Sequence, residues 1–220
     1  MLIAGIDEAG RGCVIGPLVI AGVLAREEIL PTLKRLGVKD SKLLSSAKRE
    51  SLAAEVRRLT EKQEIFKLSP EEIDRAVESG RKLHKLNRLE AVNMARMIDA
   101  LNPEEAYVDA ADVLEERFKH HIQERLNVKA KITAKHKADK LYPIVSAASI
   151  IAKVERDREI AQLITQYGDF GSGYLTDPKT MTFLRRWLNS HDEYPNCVRK
   201  SWKPAKKAKN ERGTQQKTLT

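Results

Sequence analysis

Along the first third of the chain the apolar residues fall into short runs bounded by polar clusters. Ile3 to Ile6 is followed at once by acids, and Leu18 to Leu24 is apolar nearly throughout. Runs of this length between turn residues predict strands covered on both faces. A third, weaker strand is predicted at Gln63 to Leu68. Before it, Leu52, Val56 and Leu59 recur at helical spacing behind Ser45 and Ser46, either of which can cap a helix ending at Leu59. Ser69-Pro70-Glu71-Glu72 combines an N-cap, a proline at the first helical position and an acid at the third, which opens a short helix.

The remainder alternates helix and strand. Leu86, Leu89, Met97, Ile98 and Leu101 predict a helix from Leu86 to Leu101, stopped by Asn102-Pro103. Ala106 to Asp109 reads as a short strand, and Asp112 with Glu115 as a capping pattern for a helix through Leu114, Phe118 and Ile122. Val128, Ala130, Ile132 and Ala134 alternate with polar residues, the signature of a strand with one wet face at a sheet edge. Pro143 opens a long helix to about Gln166, ended by Gly168, Gly171 and Gly173. Asp177-Pro178 opens a last amphipathic helix with Met181, Leu184 and Leu188. This order predicts an α/β mixed sheet with helices on its faces.

Length and charge refine that picture. The chain has 220 residues, enough for one domain with a real core, here expected over residues 1–198. The formal charge is +9, yet eight cations against one acid fall within 199–220, so the preceding residues carry only +2. That stretch reads as a basic, disordered tail, and the pI alone does not make the body a nucleic-acid surface. More telling are Arg11, Lys39, Lys42, Lys135, Lys137 and Lys140, which lie beside the acidic motifs. No apolar stretch reaches the roughly 18 residues of a membrane span, and the N-terminus lacks signal-peptide features, so a cytoplasmic protein without membrane contact is expected; a monomer is expected as well. Cys13 and Cys197 are too few for a disulfide framework and are expected as reduced, partly buried thiols.

The candidate chemistry lies in the acids. Asp7, Glu8, Asp109 and Asp139 each sit at or just after the end of a predicted strand, the side of an α/β sheet where ligands bind. Two carboxylates about 4 Å apart repel by roughly 4 kcal/mol at an effective dielectric near 20, so a cluster must take up protons or bind cations. Oxygen ligands without His or Cys nearby favour Mg²⁺ or Mn²⁺, and two such ions can activate water and stabilise the leaving oxygen in phosphodiester hydrolysis. Taken singly, each acid is more often a cap or a surface residue, though adjacent acids leaving a buried strand, Asp7 and Glu8, have no obvious capping role. Gly10-Arg11-Gly12 is not a dinucleotide fingerprint, because the third glycine would fall at Ile15 and the next segment reads as strand. What remains for these glycines is a tight turn whose backbone can approach a sugar or phosphate.

Seven segments together resemble type 2 ribonuclease H (ribonuclease HII), in its archaeal form. They are Asp7 to Gly12, Asp40-Ser41-Lys42, Leu86-Asn87 with Glu90, Tyr107-Val108-Asp109, His136 to Asp139, Ser146 to Ile150, and Gly171 to Tyr174 with Asp177-Pro178. The resemblance implies a ribonuclease H-like fold, a five-stranded mixed sheet flanked by helices with a small C-terminal helical portion. It implies Asp7, Glu8, Asp109 and Asp139 as a catalytic, metal-binding set holding two Mg²⁺ or Mn²⁺ ions with substrate. The implied activity is endonucleolytic cleavage of the RNA strand in RNA/DNA hybrids and at single ribonucleotides in duplex DNA, leaving 5′-phosphate and 3′-hydroxyl ends. That chemistry serves ribonucleotide removal in DNA replication and repair.

By the same resemblance Gly10, Arg11 and Gly12 would contact the ribose 2′-hydroxyl, the group that distinguishes RNA from DNA. Tyr174 would pack on the following deoxyribose, and Lys42 and Asn87 would hold phosphates. On the residues alone, Tyr174 reads equally as a core tyrosine, and Lys42 reads first as a solvated surface lysine. His136 stays outside the catalytic set. Gln216 and Leu219 match part of a sliding-clamp peptide whose aromatic residues are missing. Other nucleases of this fold, such as a junction resolvase, and a non-catalytic hybrid-binding module are the alternatives.

Overall fold

The computed structural model describes residues 1–38, 44–79 and 85–218, with side chains as far as residue 211. Its sheet has five strands: β1 (Leu2–Ala9), β2 (Leu18–Arg26), β3 (Lys62–Leu68), β4 (Glu105–Asp109) and β5 (Lys131–Lys135), in the order β3-β2-β1-β4-β5. β1 pairs antiparallel with β2 and parallel with β4, and β4 pairs parallel with β5, so the sheet is mixed. β5 lies at the edge, as its alternation predicts.

The helices are α1 (Leu30–Arg35), α2 (Ser46–Leu59), α3 (Pro70–Glu78), α4 (Lys85–Leu101), α5 (Glu115–Gln123), α6 (Ala138–Leu141), α7 (Pro143–Tyr167), α8 (Pro178–Ser190) and α9 (Lys203–Thr218). Ser45 caps α2, Asp177 caps α8, and Ser69 with Glu72 forms a complete capping box on α3.

The chain divides into two compact units, and the hexapeptide 7–12 contributes to both. The first comprises residues 1–9, 19–67 and 81–155. On one face of its sheet, Ile3 and Val23 pack with Leu33, Leu52, Val56, Ile144 and Ile150 from α1, α2 and α7. α7 approaches so closely that a Cβ on Gly5 would lie 2.3 Å from the Ile144 carbonyl carbon. On the opposite face Met97 and Leu101 of α4 press on Gly22, which pairs with Ile6.

The second unit comprises residues 10–18, 68–80 and 156–220. Its core gathers Val14, Ile15, Ile160, Phe170, Phe183, Leu184, Leu188, Tyr194, Val198 and Ala205. The expected disordered tail at 199–220 is corrected here: α9 runs from Lys203 to Thr218, and Ala205 and Ala208 are buried in this core. Two alanines among lysines give almost no hydrophobic periodicity, so only packing reveals the helix. Both cysteines are free and buried. Among the described residues no helix is long and apolar enough to cross a membrane.

Candidate metal centre and recognition loops

β1 continues three residues past Ile6, so Asp7 and Glu8 belong to the strand's last turn of pleat rather than to the loop beyond it. Because Ile6 pairs in parallel with Val108, the next residues, Asp7 and Asp109, lie beside each other on neighbouring strands, Asp109 at the end of β4. Asp7, Glu8 and Asp109 each present a carboxylate oxygen within 4.8 Å of the other two. Asp139 lies outside that trio, in the first turn of α6. Asp109 reaches the same turn by accepting from the Ala138 N–H at 2.7 Å.

Asp7 is 5% exposed. Burial, reinforced by repulsion from Asp109, pushes its carboxyl up to about 7. Opposing this are Lys153, the Ser149 hydroxyl and the Glu8 N–H, which donates to Asp7 Oδ1 at 2.7 Å. Ser149 and Lys153 stand one turn apart on α7, and the Lys153 ammonium donates to the Ser149 hydroxyl. They reach Asp7 because it shares the sheet face of Ile3 and Gly5, the face that α7 covers. Sequence reasoning missed this pair. The available signal was a lysine four residues after a serine within an otherwise apolar helical run.

Asp112 is also a correction. The helix cap at α5 is Leu114, with no side-chain cap bond. Asp112 is instead a buried anchor, 1% exposed, that accepts from the Leu114 N–H at 3.0 Å, Arg117 Nε at 2.9 Å and Asn87 Nδ2 at 3.0 Å. Arg117 holds its carboxyl far below the ordinary range. Asn87, expected at a phosphate, thus donates within the protein. His136 is a loop residue whose Nε2 meets the Asp112 carbonyl at 2.7 Å. Lys42 lies outside the described residues, as does Leu219; Gln216 falls within α9.

In the second unit the glycine turn and the tyrosine loop are stitched together. Gly173 O accepts from the N–H groups of Val14 and Ile15 at 2.8 and 3.2 Å, and Cys13 bridges Tyr174 in antiparallel fashion. The Arg156 guanidinium sits 4.6 Å from the Tyr174 ring centre. Gly10 has φ +84°, and a Cβ there would lie 2.7 Å from Pro17 O. Gly12 is exposed, and a Cβ there would meet nothing within 4 Å. Gly12 is thus required by neither backbone nor packing.

Residues 4–205 match the family model for ribonuclease HII. A ribonuclease HII from Pyrococcus abyssi is 47% identical over 100% of this chain and 96% of its own. The crystal structure of ribonuclease H2 from Pyrococcus horikoshii is 42% identical and superposes with a TM-score of 0.88, covering 96% of this chain and 98% of that one. A ribonuclease HII from Archaeoglobus fulgidus, solved in complex with PCNA, is 47% identical with a TM-score of 0.83 over 92% and 96% of the two chains.

Proposed function

The chain belongs to the ribonuclease HII family, a family of metal-dependent endoribonucleases, and from that premise we propose that it cuts the RNA strand of RNA/DNA hybrids and also single ribonucleotides embedded in duplex DNA. The observation that carries this reading is the carboxylate trio of Asp7, Glu8 and Asp109 on adjacent strand ends. All donors are hard oxygens. Asp7 is held by burial and by Asp109 in a state that a cation would relieve, which fits Mg²⁺ or Mn²⁺. Asp139, tethered one residue after Ala138, is the fourth ligand we propose.

When bound, divalent cations, two in our reading, would supply water activation and stabilisation of the leaving oxygen, giving 5′-phosphate and 3′-hydroxyl ends. The chain's own residues do the rest. Asp109 fixes the start of α6 and hence the position of Asp139. Lys153 and Ser149 orient Asp7 and favour its ionised form. Gly10, Arg11 and Gly12 are assigned to the ribose 2′-hydroxyl: Gly12 is exposed with open space on its Cβ side, which leaves room for close approach. Tyr174 is assigned to the sugar that follows and Asn87 and Lys42 to phosphates, and a clamp contact to the segment with Gln216 and Leu219.

The deciding experiment compares a duplex with one ribonucleotide, a continuous hybrid and a branched all-DNA substrate, each with and without Mg²⁺ or Mn²⁺. Metal-dependent cleavage of the first two alone is expected; an intact single-ribonucleotide duplex would overturn the proposal. Asp109→Asn should nearly abolish turnover while leaving hybrid binding, and near-normal turnover would remove Asp109 from the site.

A further inference from the structure

Among the described residues Arg199 is the largest fully buried side chain, 0% exposed, and it makes no ion pair with any of them. A guanidinium out of water without a carboxylate costs several kcal/mol unless its donors are satisfied. Here they are satisfied by one short piece of backbone. Nη2 donates to Gly10 O at 2.7 Å and Nη1 to Arg11 O at 2.8 Å; Nε and Nη2 both reach Gly16 O, at 3.1 and 3.0 Å. Nη2 also contacts Cys13 Sγ at 3.3 Å, and that thiol donates to Gly10 O at 2.8 Å. The Arg199 N–H is fixed in turn by Val14 O at 2.8 Å, and the two residues after Arg199 are held by Asp74.

The consequence follows from peptide geometry. In a planar trans peptide the C=O and the N–H of the same unit point in opposite directions, and this chain has no cis peptides. Drawing the Gly10 and Arg11 carbonyls onto one guanidinium therefore turns the N–H groups of Arg11 and Gly12 away from it. The same act places a full positive charge behind the turn. Lysine could not substitute: it offers three donors at one point, whereas these carbonyls need a fork. We propose that Arg199 is a positioning residue for ribonucleotide recognition, clamping the carbonyl side of the 10–12 turn so that its N–H side is preset for the sugar oxygen. This rests on the assignment of that turn to the 2′-hydroxyl.

The test measures binding, without metal in EDTA, of two labelled duplexes that differ by a single ribonucleotide. The readout is the ratio of their affinities, which a purely structural role would not move. In wild-type protein the ribonucleotide duplex should bind tighter, and Gly12→Ala should remove that preference. Arg199→Lys, checked by circular dichroism and by Mn²⁺ titration for an intact first unit, should lower the ratio about tenfold, the scale of one charge-assisted hydrogen bond, with all-DNA affinity nearly unchanged. A folded Arg199→Lys protein with the wild-type ratio overturns this inference and leaves the 2′-hydroxyl reading standing. A wild-type ratio of one, or a ratio untouched by Gly12→Ala, overturns that reading and this inference with it. If Arg199→Lys does not fold, Arg199→Gln decides, since its single amide donor group cannot hold the Gly10 and Arg11 carbonyls together as the guanidinium does: a lowered ratio supports the clamp, and an unchanged one overturns it.

Discussion

Alanine substitutions at Gly10 and Gly12, two residues apart in one turn, should behave in opposite ways. At Gly10 the backbone has φ +84°, and the new methyl would meet Pro17 O at 2.7 Å. The left-handed conformation alone costs a non-glycine residue roughly 1–2 kcal/mol, and the clash adds to it. In a chain of this size about 1 kcal/mol moves the melting temperature by roughly 2–4 °C, so Gly10→Ala should melt at least about 2–8 °C lower. At Gly12 neither penalty exists: φ lies outside the left-handed region and no atom lies within 4 Å of the added carbon. Removing a glycine from the unfolded ensemble then stabilises by about 0.4–1 kcal/mol, and Gly12→Ala should melt up to about 4 °C higher.

Activity should invert the order of interest. The Gly12 methyl fills the space through which a sugar would approach, so kcat/KM on a single-ribonucleotide duplex should fall by about 10–100-fold, or roughly 1.4–2.7 kcal/mol of transition-state binding. Calorimetry or thermal circular dichroism, together with steady-state cleavage, measures both. A Gly12→Ala enzyme that is stable and cleaves within about twofold of wild type would show that nothing approaches Gly12 closely.

Three further outcomes follow from the same geometry. Asp7, raised to about 7, holds its proton in the folded chain between its unfolded value of 3.8 and that point. Metal-free protein should therefore lose stability as pH rises through that window, and Asp7→Asn should melt a few degrees higher than wild type at pH 8 in EDTA while losing cleavage; an unchanged or lower melting point would refute this. Asp112 is depressed by Arg117, so its contribution is present above pH 3.8 and lost as pH falls below it. Asp112→Asn should cost about 3 kcal/mol in thermal unfolding at pH 7, with Mn²⁺ affinity kept. Tyr174→Ala should reduce cleavage at RNA–DNA junctions more than cleavage of long hybrids; equal losses would assign the ring to packing on Arg156.

Much of the scaffold is visible in the sequence because it depends on local signals. The runs at 3–6 and 18–24 become β1 and β2, and the Ser69 and Asp177 caps stand where their spacing places them. What escapes are residues whose role is set by a distant partner. Asp112 three residues before Glu115 has the pattern of a cap, yet its carboxylate is taken by Arg117 and by Asn87, which is 25 residues away. Arg199 begins a lysine-rich stretch and looks solvated; its ligands lie more than 180 positions earlier. The carboxylate trio lies between these cases. Its members are legible as strand-end acids, but their convergence depends on the pairing of β1 with β4.

The two units impose opposite electrostatic demands. In the first, Asp7, Glu8 and Asp109 gather negative charge, so a phosphate backbone is repelled there until a cation is held. In the second, the 10–12 turn is backed by the guanidinium of Arg199, and Tyr174 is backed by that of Arg156. In the proposed reading these would attract a backbone and present fixed donors whether or not metal is present. Metal should thus raise the affinity of any duplex while leaving the discrimination between ribose and deoxyribose to the turn. Measured with non-catalytic Ca²⁺ and again in EDTA, the affinities of ribonucleotide-containing and all-DNA duplexes should rise together, by about tenfold for some 1.4 kcal/mol of relieved repulsion, with their ratio constant within about threefold. A ratio that collapses in EDTA would mean that the carboxylates and their cation read the sugar, and the assignment of the glycines to the 2′-hydroxyl would fall.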